Sequence, residues 1–161
     1  MSKSAQPIPP GHENLIPHLV CDPCSEAIEF YKKAFGAEEI HRMPAPDGRR
    51  LMHAAIRIGN SIVFLVDDFP EFCNGKSESP KGLKGTPVTF HHYVANCDAA
   101  IKRAQDAGAT VMMPAQDMFW GARYGKFLDP FGHEWGINHQ VAEQRPEETE
   151  NEAAKFFPRP Q

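Results

Sequence analysis

The chain has 161 residues, 41% of them hydrophobic and 24% charged, with a formal net charge of −4. These values exclude a wholly disordered, collagen-like or coiled-coil chain, and the length holds one domain or two very small ones. The weakly acidic balance argues against nucleic acid as a partner, because binding phosphates needs a basic face. No apolar run approaches the roughly 18 residues of a membrane span.

Residues 1–13 read as a flexible leader carrying Pro7, Pro9 and Pro10, without the apolar core of a signal peptide, which points to the cytoplasm. A first strand is predicted over 15–21. Ala27, Ile28, Tyr31, Ala34 and Phe35 then fall on one face of a helix, with Asp22 as its N-cap, Pro23 in its first turn and Gly36 as its stop. Strands follow over 37–43, 51–58 and 61–66, separated by the turn signals Asp47-Gly48 and Gly59-Asn60. The same order returns. A strand over 88–94 precedes a helix carrying Ala100, Ile101, Ala104 and Ala107, capped by Asn96 or Asp98 and stopped by Gly108. Strands over 109–113, 123–128 and 134–139 complete the second set. The tail, 142–161, is acidic and contains Pro146, Pro158 and Pro160. It reads as mobile or loosely docked, with Phe156 and Phe157 able to pin it to a partner subunit or to make a local contact.

The recurrence is an internal repeat. At an offset of 73, His18 meets His91, Cys24 meets Cys97, Ile28 meets Ile101, Gly48 meets Gly121 and Gly59 meets Gly132. The fold class is therefore α+β: two tandem βαβββ modules, 14–86 with its connecting loop and 87–141, whose curled mixed sheets enclose a cavity. A lined hollow of that kind is a natural small-ligand site.

Ala27-Ile28-Glu29-Phe30-Tyr31-Lys32-Lys33-Ala34-Phe35-Gly36-Ala37, Pro46-Asp47-Gly48-Arg49, Asp117-Met118-Phe119-Trp120-Gly121 and Asp129-Pro130-Phe131-Gly132-His133 resemble the vicinal-oxygen-chelate superfamily, and within it the PhnB-like, demethylubiquinone-methyltransferase-like branch. That superfamily holds glyoxalase I, bleomycin-resistance proteins and extradiol dioxygenases. The resemblance implies paired βαβββ modules, commonly in a homodimer, and, for an enzyme, lyase or dioxygenase chemistry. Its metal enzymes take a His from the first strand and a Glu from the last strand of each module. Counting from the helix and from Gly59 and Gly132, those positions fall on Ile16, Thr89, Val63 and Gly136. None of these side chains is a ligand for a divalent cation of this kind. No cofactor is therefore expected.

His18 and His91 lie two residues beyond the family's His positions, on the same strand face, as substrate contacts or packed imidazoles. With Glu134 they form the alternative, relocated metal set. Parallel first and last strands would separate His91 from Glu134 by roughly four residues, about 13 Å. His53 is the candidate general base, since an imidazole titrates near neutrality. His92 has the opposite parity to His91 and reads as facing the helix layer or an edge, while His133 and His139 have no assignment.

The main substrate-binding candidates are Trp120, Arg123, Phe119 and Tyr124, around a loop richer in aromatics than its counterpart Asp47-Gly48-Arg49-Arg50. Arg offers bidentate donors and Trp a flat apolar wall. Ala122 stands where the branch carries an acid, leaving Arg123 without an expected charge partner. Cys21-Asp22-Pro23-Cys24 places a thiol at a helix N-terminus, which gives a thiol redox alternative; the repeat match with Cys97 favours packing instead. Three readings follow: a non-metal small-molecule binder, a metal-dependent lyase or dioxygenase with relocated ligands, and a thiol redox protein.

Overall fold

A computed structural model describes residues 6–156. Two compact units divide between Gly85 and Thr86. The first contains β1 (His18–Cys21), α1 (Cys24–Phe35), β2 (Glu38–Pro44), β3 (Leu51–Ile58), β4 (Ser61–Asp67) and a short α2 (Pro80–Leu83). The second contains β5 (Thr89–Tyr93), α3 (Cys97–Ala107), β6 (Thr110–Asp117), β7 (Ala122–Leu128), β8 (Glu134–Gln140) and α4 (Pro146–Phe156). The sheets have matching order, β1-β4-β3-β2 and β5-β8-β7-β6. β1 runs parallel to β4 and β5 to β8, while the other pairs are antiparallel. Each is an open, mixed four-stranded sheet, as two βαβββ modules require. Among the described residues no helix is long and apolar enough to cross a membrane.

The helical stripes do the work their spacing predicts. Ala27, Ile28, Tyr31 and Ala34 are buried on α1, against Leu19, Ala54, Ile56 and Leu65 of the sheet. Burying a side chain of Ile or Leu size is worth about 1.5–3 kcal/mol, which is what holds a 12-residue helix in place. Gly36 stops α1 in a left-handed conformation, φ 69°, and donates its N–H to Lys32 O. Asn96 caps α3, accepting from the Ala99 N–H at 3.0 Å.

Asp22 does not cap α1. The helix begins at Cys24, and its cap comes from the far end of β4 instead. Asp67, almost fully buried, accepts the Cys24 N–H at 2.8 Å through Oδ1 and the Leu51 N–H at 2.6 Å through Oδ2. One carboxylate thus ties a helix start to a strand start. His139 does the corresponding work in the second unit, with Nδ1 accepting the Cys97 N–H at 2.9 Å. Asp129 is a third buried tie, accepting from the Phe131 N–H, the His133 N–H and Trp135 Nε1–H at 2.9–3.0 Å. That is why the Asp-Pro-Phe-Gly-His stretch is a structural turn.

Three segments differ from their sequence reading. The β1 ladder starts at His18 rather than at 15, and β6 continues past 113 to Asp117. The acidic tail forms α4, stabilised along its own length by Arg145–Glu148 at 2.8 Å and Lys155–Glu152 at 2.5 Å. It was not expected as a helix because it lacks an apolar stripe, and none of its residues is buried. Phe156 makes a local contact with Phe119, ring centroids 5.5 Å apart, and Phe157 lies outside the described residues.

Candidate functional site

Strand alternation gives each sheet a face under its helix and a face turned away from it. In the first unit Leu19, Ala54, Ile56, Val63 and Leu65 take the helix side, so His18, His53, Ala55, Arg57, Ile62 and Phe64 share the open side. In the second unit Phe90, Trp135, Ile137 and Phe127 take the helix side. The open side receives His91, Tyr124, Lys126, Glu134, Gly136 and Asn138.

Register makes the two open faces comparable. His18 pairs with Phe64, and His91 pairs with Gly136. The counterpart of Gly136 is thus Phe64, not Val63 as the turn count implied; Val63 faces α1. Continuing across the sheet, His53 corresponds to Tyr124. Equivalent positions therefore carry His, an aromatic or imidazole ring, and either Phe64 or Gly136.

In the second unit Tyr124 stacks on His91, with ring centroids 5.7 Å apart and planes 15° from parallel. The ring also covers Gly136: a Cβ there would lie 2.6 Å from Tyr124 Oη. The side-chain amide of Asn138 is hydrogen-bonded to His91 Nε2, and Tyr93 meets His91 edge-on at 5.2 Å. Trp120 approaches Tyr124 at 5.8 Å and Phe119 at 4.9 Å. His91, Tyr124, Trp120 and Phe119 thus form one chain of ring contacts on the open side. Gly121 lets the loop close tightly, since a Cβ there would meet Ala142 O at 2.6 Å.

In the first unit Phe64 is surrounded by imidazoles. Its ring lies 4.7 Å from His53, 6.0 Å from His18 and 6.0 Å from His12 of the leader. His41 approaches His53 at 6.3 Å. Burial lowers the pKa of His18; burial, then the neighbouring His18 and His41, lowers that of His53. His53 is therefore a neutral acceptor or donor at neutral pH. Phe64, His12, His41 and Asn138 were not singled out from the sequence. Strand parity alone would have put Phe64 and His41 on the His18 face, but only the ladder shows that they meet.

Arg123 does not join Tyr124. Adjacent residues on a strand point to opposite faces, and Arg123 lies on the helix side. It is not without a charge partner either: Nε and Nη2 bind Asp98 at 2.5 and 2.8 Å, and Nη1 binds Asp117 at 2.9 Å. Arg123 ties α3 to β6.

The family's metal centre does not fit these residues. Ile16, Thr89 and Gly136 offer no His or carboxylate, Val63 faces the helix, and Tyr124 fills the space over Gly136. The relocated set fares no better, though for a different reason than spacing. Thr89 pairs with Glu134 and His91 with Gly136, so His91 and Glu134 are two residues apart in register rather than four. Glu134 is instead held by Lys126 Nζ at 2.6 Å and Thr89 Oγ1 at 3.2 Å, and His91 by Asn138 and Tyr124. Among the described residues no three His, Cys, Asp or Glu side chains gather as a metal site.

The Cys21/Cys24 reading is also corrected. Both thiols are fully buried, and Cys24 is pushed up to about 12, first by burial and then by Asp67. The carboxylate capping the helix cancels the lowering that a bare N-terminus would give. His92 is on the helix side, as its parity predicts. His133 is buried near Phe90.

The profile of the Glyoxalase/Bleomycin resistance protein/Dioxygenase superfamily matches residues 15–137. An uncharacterized protein of Mycobacterium bovis is 52% identical over 129 residues, 80% of this chain and 84% of its own. Escherichia coli YjdN is 31% identical over 145 residues, 76% of this chain and 90% of its own. Among solved structures, an Arabidopsis thaliana gene product superposes with a TM-score of 0.62 at 26% identity, covering 78% of this chain and 97% of that one. TioX from Micromonospora sp. ML1 has the same fold, with a TM-score of 0.59 at 22% identity over 83% of this chain and 100% of that one.

Proposed function

Given that the chain belongs to the Glyoxalase/Bleomycin resistance protein/Dioxygenase superfamily, we propose that it binds a small organic molecule on the open aromatic face of the second unit, without the superfamily's usual metal centre. The observation that carries this reading is Tyr124, stacked on His91 and laid over Gly136, where a ligand carboxylate would have to stand. The rings of Trp120 and Phe119 extend that wall, and flat apolar surfaces with a few polar groups are what small-molecule sites use. Arg123 is excluded from the wall because Asp98 and Asp117 hold it on the other side. We place the protein in the PhnB-like branch on its Phe-Tyr-Lys-Lys-Ala-Phe-Gly-Ala and Asp-Pro-Phe-Gly-His stretches, and infer a cytoplasmic homodimer on the same resemblance.

The test is saturable quenching of tryptophan fluorescence across a panel of planar organic compounds, with metals added in parallel. Trp120→Ala should abolish the quenching, since Trp135 is buried on the helix side, and weaken binding by roughly tenfold, about 1.4 kcal/mol. A ligand whose affinity is unchanged by Trp120→Ala and Tyr124→Ala removes this site. Stoichiometric zinc, nickel, manganese or iron in tag-free protein removes the non-metal reading.

A further inference from the structure

The strand arginines are not alike. Arg42 holds Glu39, and Arg123 holds Asp98 and Asp117. Arg57, on β3, makes no ion pair or side-chain hydrogen bond with any of the described residues, although it is half-buried. Even Glu38, its direct cross-strand neighbour on β2, does not bind it. A guanidinium has five N–H donors in a planar fork that suits a carboxylate. With no anion of its own chain bound, that fork is free for one from outside.

What lies beside Arg57 tells what else the anion should carry. Arg57 pairs with Ile62, which is buried, and Ile62 is two residues from Phe64 on the same face. Ile16, two residues before His18, stands level with Ile62 across β4. Ile16 and Phe64, together with Pro7, Pro9, His12 and Glu13 of the leader, line a hollow of about 360 Å³; Arg57 stands outside this lining. From Arg57 on β3 to Ile16 beside β4 is two strand spacings, roughly 10 Å. That is the length of a fused-ring acid. Around Phe64 the imidazoles of His12, His18 and His53 supply further flat surface.

We propose that the open face of the first unit binds a planar aromatic carboxylate, with its acid group on the Arg57 guanidinium and its ring against Phe64 in the hollow under the leader. This rests on the reading that the faces turned away from the helices take ligands, and it adds a ligand class and a second wall. A neutral aromatic would leave the guanidinium as it is, and a small inorganic anion would leave the hollow empty.

The experiment is isothermal titration of the full-length, tag-free chain with 2-naphthoate and its neutral isostere 2-naphthamide. Naphthoate should bind at least tenfold more tightly than naphthamide. Arg57→Gln should erase that ratio and Arg57→Lys restore part of it, because a point charge replaces half of a fork. Phe64→Ala should weaken both probes together and leave their ratio intact. Circular dichroism of each variant separates lost binding from lost folding. Equal affinities in the wild type, a ratio that survives Arg57→Gln, or no binding of either probe overturns the proposal. Any of these leaves the second-unit reading standing, because that one is decided by Trp120 quenching with the wider panel.

Discussion

His18, His53 and His92 share a consequence of where strand alternation has put them. Each is lowered by burial, and His53 also by the imidazoles beside it. The folded chain therefore holds fewer protons on them than the unfolded chain does just below pH 6.5, so stability is present above that value and is lost as pH falls through the lowered folded values. Thermal midpoints should drop between pH 7 and pH 5, before carboxylates such as Glu39, held at about 2 by Arg42 and Lys32, begin to titrate. His18→Gln with His53→Gln should flatten that slope; a slope unchanged in the double variant assigns it elsewhere. Asp129 acts through its hydrogen bonds. Asp129→Ala leaves three buried N–H donors without their acceptor and should cost about 2–4 kcal/mol in urea denaturation, since each orphaned donor costs about 1–3 kcal/mol and water recovers part of it.

Between strands, the contact to probe is Tyr124 over Gly136. A methyl group at 136 would stand 2.6 Å from Tyr124 Oη and 2.9 Å from its ring, so the ring must leave its stack on His91 or the β7–β8 ladder must shift. Gly136→Ala should cost about 1–3 kcal/mol, the usual range for overpacking. In a Tyr124→Ala background the same change should cost much less, and a double-mutant cycle by chemical denaturation reads the difference. Additive effects would show that the ring is not what keeps this position bare. The cap pair Asp67 and His139 teaches a related lesson: the two repeats solve the same problem at a helix start with different chemistry. Periodicity located both helices, yet nothing adjacent to Cys24 or Cys97 announces a capping group more than forty residues away.

For the molecule as a whole, the acidic tail is the segment whose role changed most. As α4 it buries none of its residues, and it reaches the aromatic loop through Phe156 on Phe119. Removing residues 146–161 should cost only about 1 kcal/mol, the worth of one aromatic pair, while making Trp120 more accessible to acrylamide. Unchanged quenching would mean that α4 gives that loop no support. The order of the eight strands with α1 and α3, the duplication and the stops of those two helices were legible beforehand, because hydrophobic periodicity, glycine and turn residues are local signals. Side-chain partnership was not legible. In sequence Arg123 reads as available because Ala122 replaces an acid next to it, whereas its acids come from α3 and β6. Cys24 had the sequence context of a reactive thiol, whereas Asp67 and burial silence it. Arg57 sits in a strand of ordinary alternation, and only the folded sheet shows that Glu38, opposite it, does not bind it. Strand parity depends on neighbours one and two residues away, so a sequence carries it. Which ring covers which glycine, and which charge finds a partner, depends on register between strands far apart in the chain, and that is decided only when the sheet forms.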